Sequence, residues 1–241
     1  KQSAFVSRDD GKTWAAPVPM FPAGGATVSK ERAVAVTKGG TVVVAFLNLD
    51  TRSPGYWNAK AADFVPGVRL DVWAARSADG GKTWATAVVQ TGYSGAVRGL
   101  VSAADGGLVL VTQDVARNPA RHVTTAYRST DDGKTWARAE CRGADGKARP
   151  FFDVGGHGHH DGAIEPTVEV LKDGRLWMLI RTPTGRFWEA TSADHGATWG
   201  GFQESAIPAS SAPGMLKRLA DGSLLLVWNR LIFPNGRSIV L

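Results

Sequence analysis

An eight-residue phrase occurs four times in this chain: "SRDDGKTW" from Ser7 to Trp14, "SADGGKTW" from Ser77 to Trp84, "STDDGKTW" from Ser129 to Trp136 and "SADHGATW" from Ser192 to Trp199. Such repetition constrains a fold more than local propensity does, because each copy must serve as the same piece of a repeated unit. Asp followed two residues later by Gly is turn chemistry. The carboxylate accepts hydrogen bonds from nearby backbone N–H groups, and Gly takes positive φ without a Cβ clash. The Ser and Thr hydroxyls bond locally. The Trp then opens a strand and brings a large apolar ring to bury. With strand-like flanks such as "VWAAR" and "TWATAVV", each phrase is predicted to be a hairpin turn fastened by its own side chains. It is read as architecture, not as a ligand or ion site.

A second element alternates with the first: "VAVTKGGTVVVAF" from Val34, "LVSAADGGLVLV" from Leu100, "VEVLKDGRLWMLI" from Val168 and "LKRLADGSLLLVW" from Leu216. Each is an apolar run, a Gly-containing turn and a second apolar run, which is another hairpin signal. One cycle therefore supplies four antiparallel strands, and the phrases recur at spacings of 70, 52 and 63 residues. Four-stranded units repeated on this scale predict an all-β fold, a β-propeller of four-stranded antiparallel blades. The chain starts in "KQSAFV" and stops at "RSIVL", both strand-like. The expectation is one propeller domain over residues 1–241, incomplete at both ends, with three full blades flanked by two half blades.

Composition removes several classes of function. Hydrophobic residues make up 43% of the chain, without an uninterrupted apolar run long enough to cross a bilayer, so no membrane partner is expected. The net charge of +6 is scattered, and no nucleic-acid-binding motif accompanies it, so no nucleic-acid partner is expected either. The single Cys141 excludes an internal disulfide. Compartment and oligomeric state are not legible in the sequence.

In a propeller the first strand of each blade lines the central channel, and ligands bind where those strands begin. The residues at these entries read "SKERAV" (29–34), "SGAVRG" (94–99), "HHDGAIEP" (159–166) and "ASSAPG" (209–214). Three of the four carry charge where packing alone calls for apolar residues, and buried charges need partners. Arg32, Arg98 and Glu165 are therefore expected to converge on one central site. The loop segment "HGHHD" offers His157, His159, His160 and Asp161, but the spacing matches no standard metal site. No metal and no cofactor is expected, and His160 and Asp161 are placed on the rim of the pocket. Tyr56 and Trp57 are candidates for stacking on a sugar ring.

At these residues the sequence resembles the sialidases (neuraminidases) and sialidase-like propellers. The four phrases look like the Asp boxes, or BNR repeats, of that family, and the likeness covers nearly the whole chain. The segment "AIEPTVEVLKDGRLWMLIR" (163–181) is similar to the family's pattern of an inner-strand Glu, an Asp-Gly turn and an Arg closing the next strand. The resemblance implies a six-bladed propeller, here truncated to about four blades. It also implies an exo-acting, retaining glycoside hydrolase working on a terminal acidic sugar of a glycan. A non-cleaving glycan-binding propeller is the alternative.

What the resemblance implies for single residues follows. Glu165 is the base that activates a Tyr nucleophile, and Arg181 belongs to a trio of arginines gripping the sugar carboxylate. Counting back from Gly40 puts Lys30 at the first Arg position, while Arg32 is the nearest Arg and is preferred; Arg237 in "GRSIVL" is the candidate for the third. The general acid is an Asp in "LNLDTRSPGYWNAKAADF", either Asp50 or Asp63, with Arg52 of that loop as a further substrate contact. None of Tyr56, Tyr93 and Tyr127 stands at the nucleophile's place, so the nucleophile is expected to be missing from this chain. The family also favours a secreted or periplasmic location. A trio of guanidiniums repel one another, and assembling them is worthwhile mainly for an anion that matches their planar donor forks.

Overall fold

The computed structural model describes residues 3–21 and 25–230. Among them there is no α-helix; a single 3₁₀ turn, Leu49–Thr51, interrupts an otherwise all-β chain. The first sheet orders Val28–Val36, Val42–Asn48, Val72–Ser77 and Ala85–Gln90 side by side. The second orders Val97–Ser102, Leu108–Ala116, Arg121–Ser129 and Ala137–Arg138 in the same way. The third begins with Ile164–Val170, Leu176–Arg181, Arg186–Ser192 and Thr198–Pro208. It departs from the four-strand expectation, because Glu140–Arg142 joins its outer edge in parallel with Thr198–Trp199 and carries Ala148–Arg149 beyond it. A hairpin of Met215–Arg218 and Leu224–Val227 follows.

The first strands of successive sheets pack against one another in chain order. The sheets therefore fan outward from a common axis like propeller blades. The core lies between neighbouring sheets. Val43, Ala45, Leu47 and Val72 of the first sheet meet Val97, Leu108 and Leu110 of the second. Val101, Val109 and Val111 of the second meet Val168, Met178, Ile180 and Trp199 of the third. This explains why the second strands read as unbroken apolar runs: both faces of each are covered. Val43, Leu108, Leu110, Leu176 and Ile180 are fully buried.

The four repeated phrases form the same turn. In each, the Ser hydroxyl donates to an Asp oxygen at 2.8 Å. The other Asp oxygen accepts the Thr hydroxyl at 2.6–2.7 Å. The Gly N–H donates to the Ser oxygen at 2.8–2.9 Å. That Gly is required twice over. Gly196 has φ +88°, and a Cβ there would stand 2.5 Å from a methyl of Val109 in the preceding sheet. The turn thus docks on its neighbour as well as closing its own hairpin. The large ring that each phrase brings is not buried alike in the four copies. Trp199 is fully buried, Trp84 and Trp136 are half-buried with Nε1–H donated to the carbonyls of Gly81 and Gly133, and Trp14 is 62% exposed.

Candidate functional site

The strands run antiparallel, so the repeated turns cluster at the end of the sheets where the Asp-Gly hairpins lie. The entries of the first strands lie at the opposite end, and the charged residues gather there. Glu165 is the second residue of its strand and Arg181 the last residue of the next; the two form an ion pair. Arg98, the second residue of the neighbouring sheet's first strand, places Nη2 at 3.1 Å from Glu165 Oε1. The same nitrogen pairs with Glu31 of the first sheet. A chain of alternating charge, Glu31–Arg98–Glu165–Arg181, thus crosses three sheets. Each pair is partly desolvated, with side-chain exposures between 17% and 35%.

The backbone at Glu165 is strained. Its φ is +47°, in the left-handed region that a residue with a Cβ adopts at a cost. The pairing of its strand shifts register between Ile164 and Thr167, as a bulge does when it re-aims a side chain. Gln113 holds the strained peptide by accepting the Glu165 N–H at 3.0 Å. The other end of Gln113 lies 3.3 Å from His122 Nδ1.

Glu165 and Arg181 form one wall of a polar cavity of about 190 Å³, whose other walls include Gln113, Tyr56, Tyr93, His159 and His160. Tyr56 and Tyr93 stack with centroids 5.6 Å apart and planes 11° from parallel. Burial first, then the neighbouring Tyr56, pushes the Tyr93 hydroxyl up to about 12 against the opposing pull of Arg52. Burial, then the charges of His159 and Arg181, lowers the pKa of His160. The loop that delivers the two histidines is laced to the strand Arg121–Ser129. The N–H of Gly158 donates to Ala120 O at 2.9 Å, that of His122 to Asp161 O at 2.9 Å, and that of Ala163 back to His122 O at 3.1 Å.

Several sequence candidates stand elsewhere. Arg32 is corrected: it is exposed, while Glu31 beside it is the residue that enters the charge chain. Glu31 shares its face of the strand with Ala33 and Ala35, which pack toward the second sheet, and Arg32 points the other way. Lys30 is exposed as well. Asp50 and Asp63 do not line the cavity, and both carboxylates are engaged. Asp50 accepts the Thr27 N–H at 2.9 Å, and Asp63 pairs with Arg117 at 2.7 Å. Asp161 turns its carboxylate to its own loop, accepting the His157 N–H at 3.2 Å. Arg52 is exposed and outside the cavity lining. Trp57 packs edge-on against Phe64. Arg237 lies outside the described residues. Among the described residues no group of three or more His, Cys, Asp or Glu side chains is arranged to hold a metal. Sequence reading missed Glu31, Gln113 and His122. The available signal was a polar residue inside an apolar run, "LVLVTQDVA" and "RHVTTAY".

The model of the BNR repeat-like domain matches residues 5–240. The chain belongs to the BNR repeat-like family. Among solved structures, this BNR-repeat chain is similar to a protein of unknown function from Dyadobacter fermentans, with TM-score 0.62, 19% identity, and coverage of 94% of this chain and 64% of that one. The Hadza microbial sialidase Hz136 matches with TM-score 0.60, 20% identity, and coverage of 94% and 46%. The Trypanosoma rangeli sialidase matches with TM-score 0.52, 18% identity, and coverage of 93% and 38%. A Penicillium chrysogenum alpha-L-arabinanase complexed with arabinobiose also shares the fold, with TM-score 0.52, 17% identity, and coverage of 88% and 60%. No curated protein sequence matches this chain. The BNR-repeat chain thus spans between 38% and 64% of the length of these structures.

Proposed function

We propose that this chain carries the sugar-binding centre of a sialidase-like glycoside hydrolase acting on a terminal acidic sugar of a glycan. The observation that supports it best is Glu165, held on strained backbone at the cavity wall with its carboxylate shared between two guanidiniums. Strain of this kind persists only where the surroundings over-determine it, and it clusters at working sites. Arg181 is the natural partner of the sugar carboxylate. Among the described residues its outer edge faces only the Ser211 hydroxyl, at 3.3–3.4 Å, a contact an incoming carboxylate replaces with stronger, charge-assisted bonds. Releasing Arg181 leaves Glu165 held by Arg98 alone, with one oxygen open to serve as a base and with Tyr56 and the histidines walling the ring.

In this reading the chain is part of a longer six-bladed propeller that supplies the nucleophile. The exposed Val34 and Val36 at one end of the fan, and the exposed Met215 and Val227 at the other, are faces of the kind that further blades cover. Glycan binding without cleavage is the second reading, favoured by the engagement of both Asp50 and Asp63 in structural bonds. Calorimetric titration of sialic acid and of its methyl ester tests the site. Binding that depends on the free carboxylate is expected. Equal binding of acid and ester removes the acidic sugar, and binding of neither removes the sugar site. Hydrolysis of an aryl sialoside by the full-length protein separates the two readings.

A further inference from the structure

The charge chain at the centre has a feature that an anion site does not need: it is already neutral. Two guanidiniums, Arg98 and Arg181, face two carboxylates, Glu31 and Glu165. Arg98 is the most heavily claimed, since its Nη2 serves both carboxylates at once while its Nε is buried with no partner among the described residues. A sugar carboxylate entering this neutral group leaves it with one uncompensated negative charge in a partly desolvated place, which is costly. Removing the charge of either Glu lifts that penalty. Glu165 cannot yield its charge without leaving Arg181 with no carboxylate partner among the described residues. Glu31 can, because Arg98 keeps Glu165.

We propose that Glu31 is an internal competitor for the ligand's carboxylate, so that an acidic sugar binds this site together with a proton taken up by Glu31. This inference rests on the reading of the cavity as an acidic-sugar site. The charged groups facing Glu31 among the described residues are Arg98 from the second sheet and Glu165 from the third. Lys30 and Arg32 flank it on its own strand and are exposed. The balance of these groups agrees with the proposal. Burial raises the pKa of Glu31, Arg98 pulls it down, Glu165 raises it again, and the net direction is up. The protonation balance is simple: Glu31 carboxylate plus a proton from solvent gives the neutral acid, and the Arg98 edge it vacates joins Arg181 in meeting the sugar carboxylate. Affinity for an acidic sugar therefore rises as pH falls through the titration of Glu31.

The experiment compares sialic acid binding by calorimetry in the wild type, Glu31→Gln and Arg181→Ala across a pH series, with thermal melts confirming that each variant is folded. Glu31→Gln mimics the protonated acid, so it is expected to bind about tenfold tighter than wild type at neutral pH. That advantage should vanish at low pH, where the wild type carries the proton itself. Titrations in buffers of different ionisation enthalpy should show proton uptake by the wild type and less by Glu31→Gln. The contributions of His159 and His160 are common to both proteins and cancel in the ratio. If Glu31→Gln binds no tighter at neutral pH while Arg181→Ala still weakens binding, the competitor role is overturned and the cavity reading stands. If wild type and Arg181→Ala bind alike, the cavity reading fails and the role of Glu31 fails with it.

Discussion

One nitrogen of Arg98 holds two carboxylates that come from two other sheets: Glu165 at 3.1 Å, and Glu31. The three residues sit on the first strands of three successive sheets. Their meeting is therefore a property of the fan and not of any one hairpin.

Arg181→Ala is expected to weaken binding of sialic acid by about 2 kcal/mol, the low end for truncating one partner of a buried charge pair, because the pair is about one-fifth exposed. Binding of the methyl ester should hardly change. Calorimetry on both ligands reads the difference, and an equal loss on both would assign Arg181 a structural role. Glu165→Gln in the full-length protein keeps the shape and removes the base, so turnover should disappear while binding persists.

Gly162 has φ +103°, and a Cβ there would stand 2.0 Å from the carbonyl oxygen of His122. Its neighbours Asp161 and Ala163 bond to that same strand on either side. Gly162→Ala should destabilise the protein by about 2 kcal/mol or more and displace the loop carrying His159 and His160. A thermal melt matching wild type would show that the loop can shift without cost.

The four tryptophans of the repeated phrase should differ in energy although they are identical in sequence. Trp199→Ala should cost about 3–5 kcal/mol, since its ring is fully buried between sheets. Trp14→Ala should cost less than about 1 kcal/mol, because the ring is 62% exposed. Trp136→Ala should fall between. Chemical denaturation of the three variants gives the order, and equal losses would contradict the burial found here.

Acid should loosen the repeated turns. The Thr13 hydroxyl, then its N–H and the Ser7 hydroxyl, hold Asp9 at about 2. Asp131 is also held at about 2, by Thr135 and Ser129 against a burial effect that works upward. A carboxylate lowered in the fold contributes stability above its ordinary value of 3.8 and loses it as pH falls through the lowered one. Melting temperature should therefore drop between about pH 4 and pH 2. Asp131→Asn should flatten part of that slope. A melting temperature constant over this range would show that the unfolded chain holds these carboxylates equally low.

The turns were legible because everything that fastens them lies within eight residues. Ser129, Asp131, Gly133 and Thr135 bond to one another wherever the chain is placed. Glu165 and Arg98 were legible as candidates because charge at the start of a buried strand needs a partner. Arg32 was misread between two neighbours of opposite facing. Glu31 lies on the same face of its strand as Ala33 and Ala35, which pack toward the second sheet, whereas Arg32 is exposed. Gln113 and His122 were hidden inside apolar runs, where only the neighbouring strand shows which way a side chain faces.

The sequence by itself determined the hairpins, their repetition and the all-β class, since these follow from contacts between near neighbours in the chain. The tertiary structure decided which of four identical tryptophans is buried and which charges meet. Burial and ion pairing at the axis depend on a facing sheet supplied by residues far along the chain, 67 positions away between Arg98 and either Glu31 or Glu165. Alternation along one strand cannot determine what stands across from it.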